Sequence, residues 1–412
     1  MKFSQDDLWS IHQRLKLLLP LGISLSGVAL LLAVNLFFVL PTRVYVSAAK
    51  PPAQPVQIED LKMITPTDGW ALLKDRTGVL VTHRGSTQWQ KVTPPDLYLP
   101  PNNLLNSITS WFVLDERHAY IGVLQNGLTS LWRTENGGRS WTEAKFDFQP
   151  LTNIGIYQIE FIDVRHGWLA FDKDHGFGKY HVVLMSTSNG GKTWKQLLDT
   201  TQNPSGLPTN GPKRFYFTSL QNGWMTGPED GTLNVRLYET HNGGKTWILS
   251  SIPPVTDSPS DENSFTESYG PFFSKARQGT LMVKSGAFGS NSSALTVFHT
   301  SDGGKSWKSG ATIMSSGTRI FYWITFVNAS NGWVLGTNEK NWPILQRTFD
   351  GGRHWKTLQP TGLQPYGEVI TSMTFLNPTL GWMVDKTDDG TETLFQTYDG
   401  GRSWRALKPT LQ

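Results

Sequence analysis

An eight-residue pattern, Thr397-Tyr-Asp-Gly-Gly-Arg-Ser-Trp404, recurs along this chain and limits what it can fold into more than any other feature. Close copies start at Thr134, Thr187, Thr240, Thr300 and Thr348 and end at Trp141, Trp194, Trp247, Trp307 and Trp355. A worn copy runs from Thr82 to Trp89. Asp or Asn can bond the backbone beside it, two glycines accept positive φ, and Trp re-enters a strand, so each copy reads as a hairpin turn.

The Trp-to-Trp spacings are 52, 53, 53, 60, 48 and 49 residues, the length of a four-stranded repeat unit. In the third copy the four strand-like pieces are Tyr157 to Asp163, Gly167 to Phe171, His181 to Ser186 and Thr193 to Leu197. A second signal keeps the same register: a turn ending in Gly-Trp at Trp70, Trp168, Trp224, Trp333 and Trp382, replaced by Ala119-Tyr120 in the second copy and Gly279-Thr280 in the fifth. Units that cannot bury both faces alone stack radially and close, which hides all but short sheet edges. The expected fold is all-β, a seven-bladed β-propeller over residues 57–412. The repeats begin and end on whole blades, so closure is expected to rest on blade-to-blade packing without a swapped strand.

Twelve of the 17 Trp belong to these two signals, so the repeat explains the excess. The sequence holds no Cys, which excludes disulfides, thiolate zinc sites and a lipid-bearing cysteine within it. Its net charge of +4 is mild, no basic run is interleaved with stacking aromatics, and no nucleic-acid partner is expected. Leu17 to Leu40 carries no charge and is long enough to cross a roughly 30 Å hydrocarbon core as a helix. Arg14 and Lys16 precede it, which predicts a cytoplasmic tail (1–16), a transmembrane helix (17–40), a Pro-rich linker (41–56) and the propeller on the extracytoplasmic side of a bacterial cell membrane. A signal peptide cleaved after the small residues Val46-Ser-Ala48 is the rival reading, against which the apolar stretch is long.

With these residues in view, the chain resembles the Asp-box, or BNR-repeat, propellers, whose turn Ser/Thr-x-Asp-x-Gly-x-Thr/Ser-Trp is met almost letter for letter by six copies. The Phe-x-x-x-x-x-Gly-Trp element beside the box is most similar to the bacterial and plastid branch of photosystem II assembly-factor-like proteins. Sialidases and some glycoside hydrolases carry the same box, so the resemblance implies architecture and leaves function to the site. The Arg-Ile-Pro segment usual in sialidases does not occur, and neither does His-Glu-x-x-His or Gly-x-Ser-x-Gly. No catalytic residue, metal ligand or cofactor is assigned.

Aligning the first strands on Gly-Trp gives uniformly apolar pairs such as Ile159/Phe161 and Phe215/Phe217, expected to face neighbouring blades, and intervening pairs of varied chemistry. These are Asp60/Lys62, Ser110/Phe112, Gln158/Glu160, Arg214/Tyr216, Trp323/Thr325 and Ser372/Thr374. With the first strand innermost they ring the central channel, and Glu160, Arg214, Tyr216, Gln158 and Trp323 are its ligand-binding candidates. On the face opposite the boxes, the loops carrying Asp172, Asp174, Glu229, Asp230, Glu339 and Trp342 are the partner-binding candidates. The expectation is a membrane-anchored, non-enzymatic protein-binding or assembly scaffold whose partner is an extracytoplasmic protein or glycan. The alternative is a carbohydrate-binding or sialidase-like glycoside hydrolase propeller.

Overall fold

The computed structural model describes residues 53–146, 154–172, 182–200, 207, 214–228, 235–255, 264–275, 277–287, 293–315, 323–328, 330–338, 340, 342–364, 369–387 and 389–412. The apolar stretch 17–40, its flanks and the start of the linker lie outside them. Among the described residues no helix is long and apolar enough to cross a membrane.

The described strands form seven sheets, one per repeat. Blade 1 is built from Ile58–Met63, Gly69–Leu73, Val79–Thr82 and Gln88–Lys91, and blade 3 from Ile156–Phe161, Gly167–Asp172, Val182–Thr187 and Thr193–Asp199. The four strands of each blade are antiparallel neighbours in chain order, and the first strands of successive blades touch, which places them innermost. The all-β seven-bladed propeller expected from the repeats is therefore what forms.

The turn that joins strands three and four is held by its own residues. In the fifth copy Thr300 Oγ1 donates to Asp302 Oδ1 (2.8 Å) and accepts from the Gly304 N–H (2.9 Å), while Asp302 Oδ1 accepts from the Ser306 N–H (3.0 Å). Both glycines sit in the left-handed region, Gly303 at φ 82 and Gly304 at φ 90, where a side chain would be strained. The first glycine also donates its N–H to the turn between strands one and two of the same blade, as Gly351 does to Ser330 and Gly400 to Thr379. In four blades that neighbouring turn opens on an Asp or Asn, and in two others on Thr65 or Ser219, for an equally local reason. Asp163 Oδ1 accepts the N–H groups of Arg165 (2.7 Å) and His166 (2.8 Å).

The apolar core lies between blades. Ile58, Leu61, Trp89 and other buried residues of blade 1 pack with Leu380, Trp382, Val384 and Leu394 of blade 7, and each other junction repeats the pattern. Stacked rings recur in it: Trp168 on Phe217 at 3.7 Å and Trp333 on Phe375 at 3.8 Å between centroids.

Closure corrects the sequence expectation. After the last blade strand, Arg405–Ala406, the chain adds Thr410–Leu411 in parallel to the outer strand of blade 1, pairing Thr410 with Gln88 and Leu411 with Trp89. Gln54–Pro55 then pairs antiparallel with the same segment. The device is not special to the seam. Lys145–Phe146, which follows blade 2, pairs in parallel with blade 3, setting Phe146 opposite Trp194 as Leu411 stands opposite Trp89. The crossover strand thus covers the exposed edge of the next blade, and the ring closes with the same crossover seen after blade 2.

Candidate functional site

The first strands line the channel, and several of their channel-side positions are tied to the next blade. Gln158 uses both ends of its amide: Nε2 donates to the Phe215 carbonyl (2.6 Å) and Oε1 accepts the Phe215 N–H (3.1 Å). Two residues on, Glu160 Oε1 accepts the Phe217 N–H at 3.2 Å. Trp323 donates its indole N–H to the Met373 carbonyl at 2.5 Å, from blade 6 to blade 7. Four of the five channel candidates, Gln158, Glu160, Arg214 and Tyr216, are thus brought together on two adjoining strands, while Trp323 stands apart on blade 6.

Their environments differ. Glu160 is half-buried as a residue, but its Oε2 is sealed from solvent with no partner, and this desolvation pushes its carboxyl up to about 8 against the Phe217 N–H. Burial likewise raises the Tyr216 phenol, opposed by the Arg214 charge and a hydrogen bond with the Gly270 backbone. The Tyr216 ring leans on Phe272 of blade 5, with 6.2 Å between centroids. Arg214 is exposed and does not pair with Glu160, whose single hydrogen bond comes from the Phe217 N–H. Among the described residues nothing pairs with its guanidinium.

Asp60 and Lys62 were in the aligned set but were not singled out, and the structure gives them the densest contacts. Asp60 joins three blades. Its Oδ2 accepts from Trp111 Nε1 (2.8 Å), and its Oδ1 accepts from Ser372 Oγ (2.6 Å) and the Leu61 N–H (2.8 Å). Burial raises the Asp60 carboxyl, and the hydrogen bonds from Ser372 and Trp111 work against it. Lys62, open to the channel yet ringed by protein, is pushed below the ordinary lysine range by desolvation, with Asp60 opposing. It donates to the Val113 carbonyl (2.9 Å) and stands 5.3 Å from the Phe112 ring centre. The available signal was that blade 1 alone carries opposite charges at both aligned positions.

On the opposite face, Asp174, Glu229, Asp230 and Glu339 lie outside the described residues, as does the side chain of Asp172. Trp342 is described and exposed, on a tight connection where the Asn338 N–H donates to its carbonyl (2.9 Å) and its own N–H donates to Asn338 Oδ1 (3.0 Å). Among the described residues no group of three or more His, Cys, Asp or Glu is placed to hold a metal ion. Chemically, the described part of the channel is a set of polar groups whose hydrogen bonds run mostly to neighbouring backbone, with the Arg214 guanidinium unpaired among the described residues.

No family model matches the chain. Over 172 residues it is 27% identical to a photosystem II assembly lipoprotein Ycf48 from Synechococcus sp. (strain CC9902), a stretch covering 42% of this chain and 41% of that protein. Two solved structures share the fold. YCF48 from Cyanidioschyzon merolae superposes with a TM-score of 0.50 at 13% identity, covering 85% of this chain and 97% of that one. An ulvan lyase, a polysaccharide lyase solved with a bound saccharide, does so with the same score and identity over 86% and 97%. The chain is a seven-bladed propeller with Ycf48-like sequence over part of its length, on an architecture that also serves a lyase.

Proposed function

We propose that this protein is a membrane-anchored, extracytoplasmic propeller that works as a non-enzymatic scaffold in the assembly of a membrane protein complex. The observation that carries the reading is the Ycf48-like sequence, since that relative is named for photosystem II assembly. The channel agrees with it. Asp60, Gln158, Glu160 and Trp323 use polar atoms to join blades, which makes a rigid mount. The relative is a lipoprotein, whereas this sequence has no Cys, so the apolar stretch 17–40 takes over the anchoring, with residues 1–16 in the cytoplasm and 41–56 as spacer. The boxes act as structural turns of the BNR type, and the loop face opposite them meets the partner.

Two experiments test this. Protease added to spheroplasts should remove a C-terminal epitope while an N-terminal tag stays protected; a fully protected chain overturns the orientation, and a mature N-terminus near Ala49 overturns the anchor. Crosslinking in intact membranes, followed by mass spectrometry, should capture subunits of one membrane complex. Capture of none, together with saturable binding on a glycan array, would replace the scaffold with the carbohydrate reading.

A further inference from the structure

At two blade junctions one ring and one carbonyl meet in the same way. There the Trp that opens strand two donates its indole N–H to the carbonyl of the first glycine in the next blade's turn, Trp168 to Gly243 at 3.1 Å and Trp333 to Gly400 at 3.0 Å, while its face stacks on the next blade's Phe. Elsewhere Trp70 donates to the Asp115 carbonyl, Trp382 to Ser86 Oγ, and Trp224 Nε1 has no partner among the described residues. Where blade 2 carries Tyr120 instead, the ring still stacks on Phe161 at 3.8 Å, and the cross-strand neighbour Arg133 caps the Gly190 carbonyl at 3.0 Å. In blade 6 the cross-strand neighbour Arg347 joins Trp333 on Gly400 at 3.3 Å.

The junction of blades 5 and 6 lacks both partners. The ring position is Thr280, and its cross-strand neighbour is His299. Among the described residues no side chain donates to the Gly351 carbonyl, the equivalent of Gly243 and Gly400, and His299 Nε2 is buried without a partner. In place of the ring there is a cavity of about 370 Å³ lined by Thr280, His299, Ser330, Phe349, Gly351 and Arg353. That lies at the lower end of the roughly 300–1,000 Å³ span of ligand sites. Phe326, at the position of the stacked Phe217 and Phe375, is half-buried against Phe272 (5.8 Å between centroids) and Trp355, and Phe349 at the mouth is 53% exposed. Burial and the Arg353 charge hold the His299 imidazole below its usual range, with the Asp350 charge opposing.

We propose that this cavity binds the tryptophan side chain of a partner polypeptide, the indole N–H donating to the Gly351 carbonyl in the place that Trp168 and Trp333 fill at two other junctions. The site goes beyond the scaffold reading and does not depend on it, because it can be titrated without any partner.

The test uses the full-length chain and N-acetyl-5-fluorotryptophanamide, followed by fluorine NMR. Saturable binding is expected, weakened at least tenfold in Thr280→Trp, which fills the cavity with the residue five other blades carry, and with a melting temperature unchanged or higher. His299→Arg should also weaken binding, since the guanidinium can reach Gly351 as Arg347 reaches Gly400, and it carries the comparison if Thr280→Trp does not fold. The 1-methylindole analogue should bind at least tenfold more weakly than the parent amide. No saturable binding to the wild-type chain, or full binding to folded cavity-filled variants, overturns the proposal; equal affinity of the methylated analogue overturns the assigned hydrogen bond.

Discussion

Lys62 and Glu160 occupy the same position on the first strands of blades 1 and 3, and they bind opposite ends of equivalent residues. Lys62 donates to the Val113 carbonyl, and Glu160 accepts from the N–H of Phe217. One strand geometry therefore accepts either polarity, because a channel-side chain reaches the next blade at a point where both backbone groups are within range. Varied chemistry at this position does not by itself mean a ligand.

Glu160 should make stability depend on pH. Its folded pKa of about 8 lies above the ordinary value of 4.5, so its contribution is full below 4.5 and is lost as pH rises through 8, the folded state holding the proton longer. Melting temperature measured from pH 5 to 8.5 should fall more for the wild-type protein than for Glu160→Gln, which keeps an acceptor for Phe217 and has no charge to bury. Parallel curves would contradict the assignment.

Removing the Asp60 carboxylate should weaken three blades at once. Asp60→Ala leaves the Trp111 indole N–H and the buried Ser372 hydroxyl without their acceptor, and a loss of about 2–4 kcal/mol is expected from two unsatisfied donors. Combined with Trp111→Phe, denaturant unfolding should show a smaller loss than the sum of the two single changes. Strict additivity would mean that the contact carries no coupling.

The crossover strand at the seam offers a backbone test. Thr410 donates its N–H to the Thr87 carbonyl at 2.9 Å, so Thr410→Pro removes a bond in the parallel pairing and should cost about 1–3 kcal/mol. Hydrogen exchange should rise first in Gln88–Lys91 and at the Val56 amide, which donates to the Pro409 carbonyl. Uniform loosening of all blades would argue against a local seam.

Arg214 is the residue whose loss should spare the fold. Being exposed and unpaired with Glu160, Arg214→Ala should change stability by no more than about 0.5 kcal/mol, and its effect should add to that of Glu160→Ala. If a polar or anionic ligand enters the channel, the same change should weaken it by roughly 1.5–3 kcal/mol through a lost charged hydrogen bond. Calorimetric titration against an acidic-glycan panel reads that outcome separately from stability.

The sequence by itself determined the number of blades, the order of strands and the place of each turn, since these rest on contacts a few residues apart. The Thr300, Asp302 and Gly304 bonds close within one turn, and alternating pairs such as Ile159 and Phe161 mark the inner strands. Only the tertiary structure decided what the channel-side residues touch, how the ring closes and where it is left unfilled. Gln158 meets Phe215 across 57 residues and Asp60 meets Ser372 across 312, and such pairings depend on how two blades dock, not on either segment alone. Thr280 in place of Trp was legible as an irregularity. That it opens a cavity follows from a second change at His299 on the neighbouring strand and from the Gly351 turn of another blade, which come together only when the sheets pack.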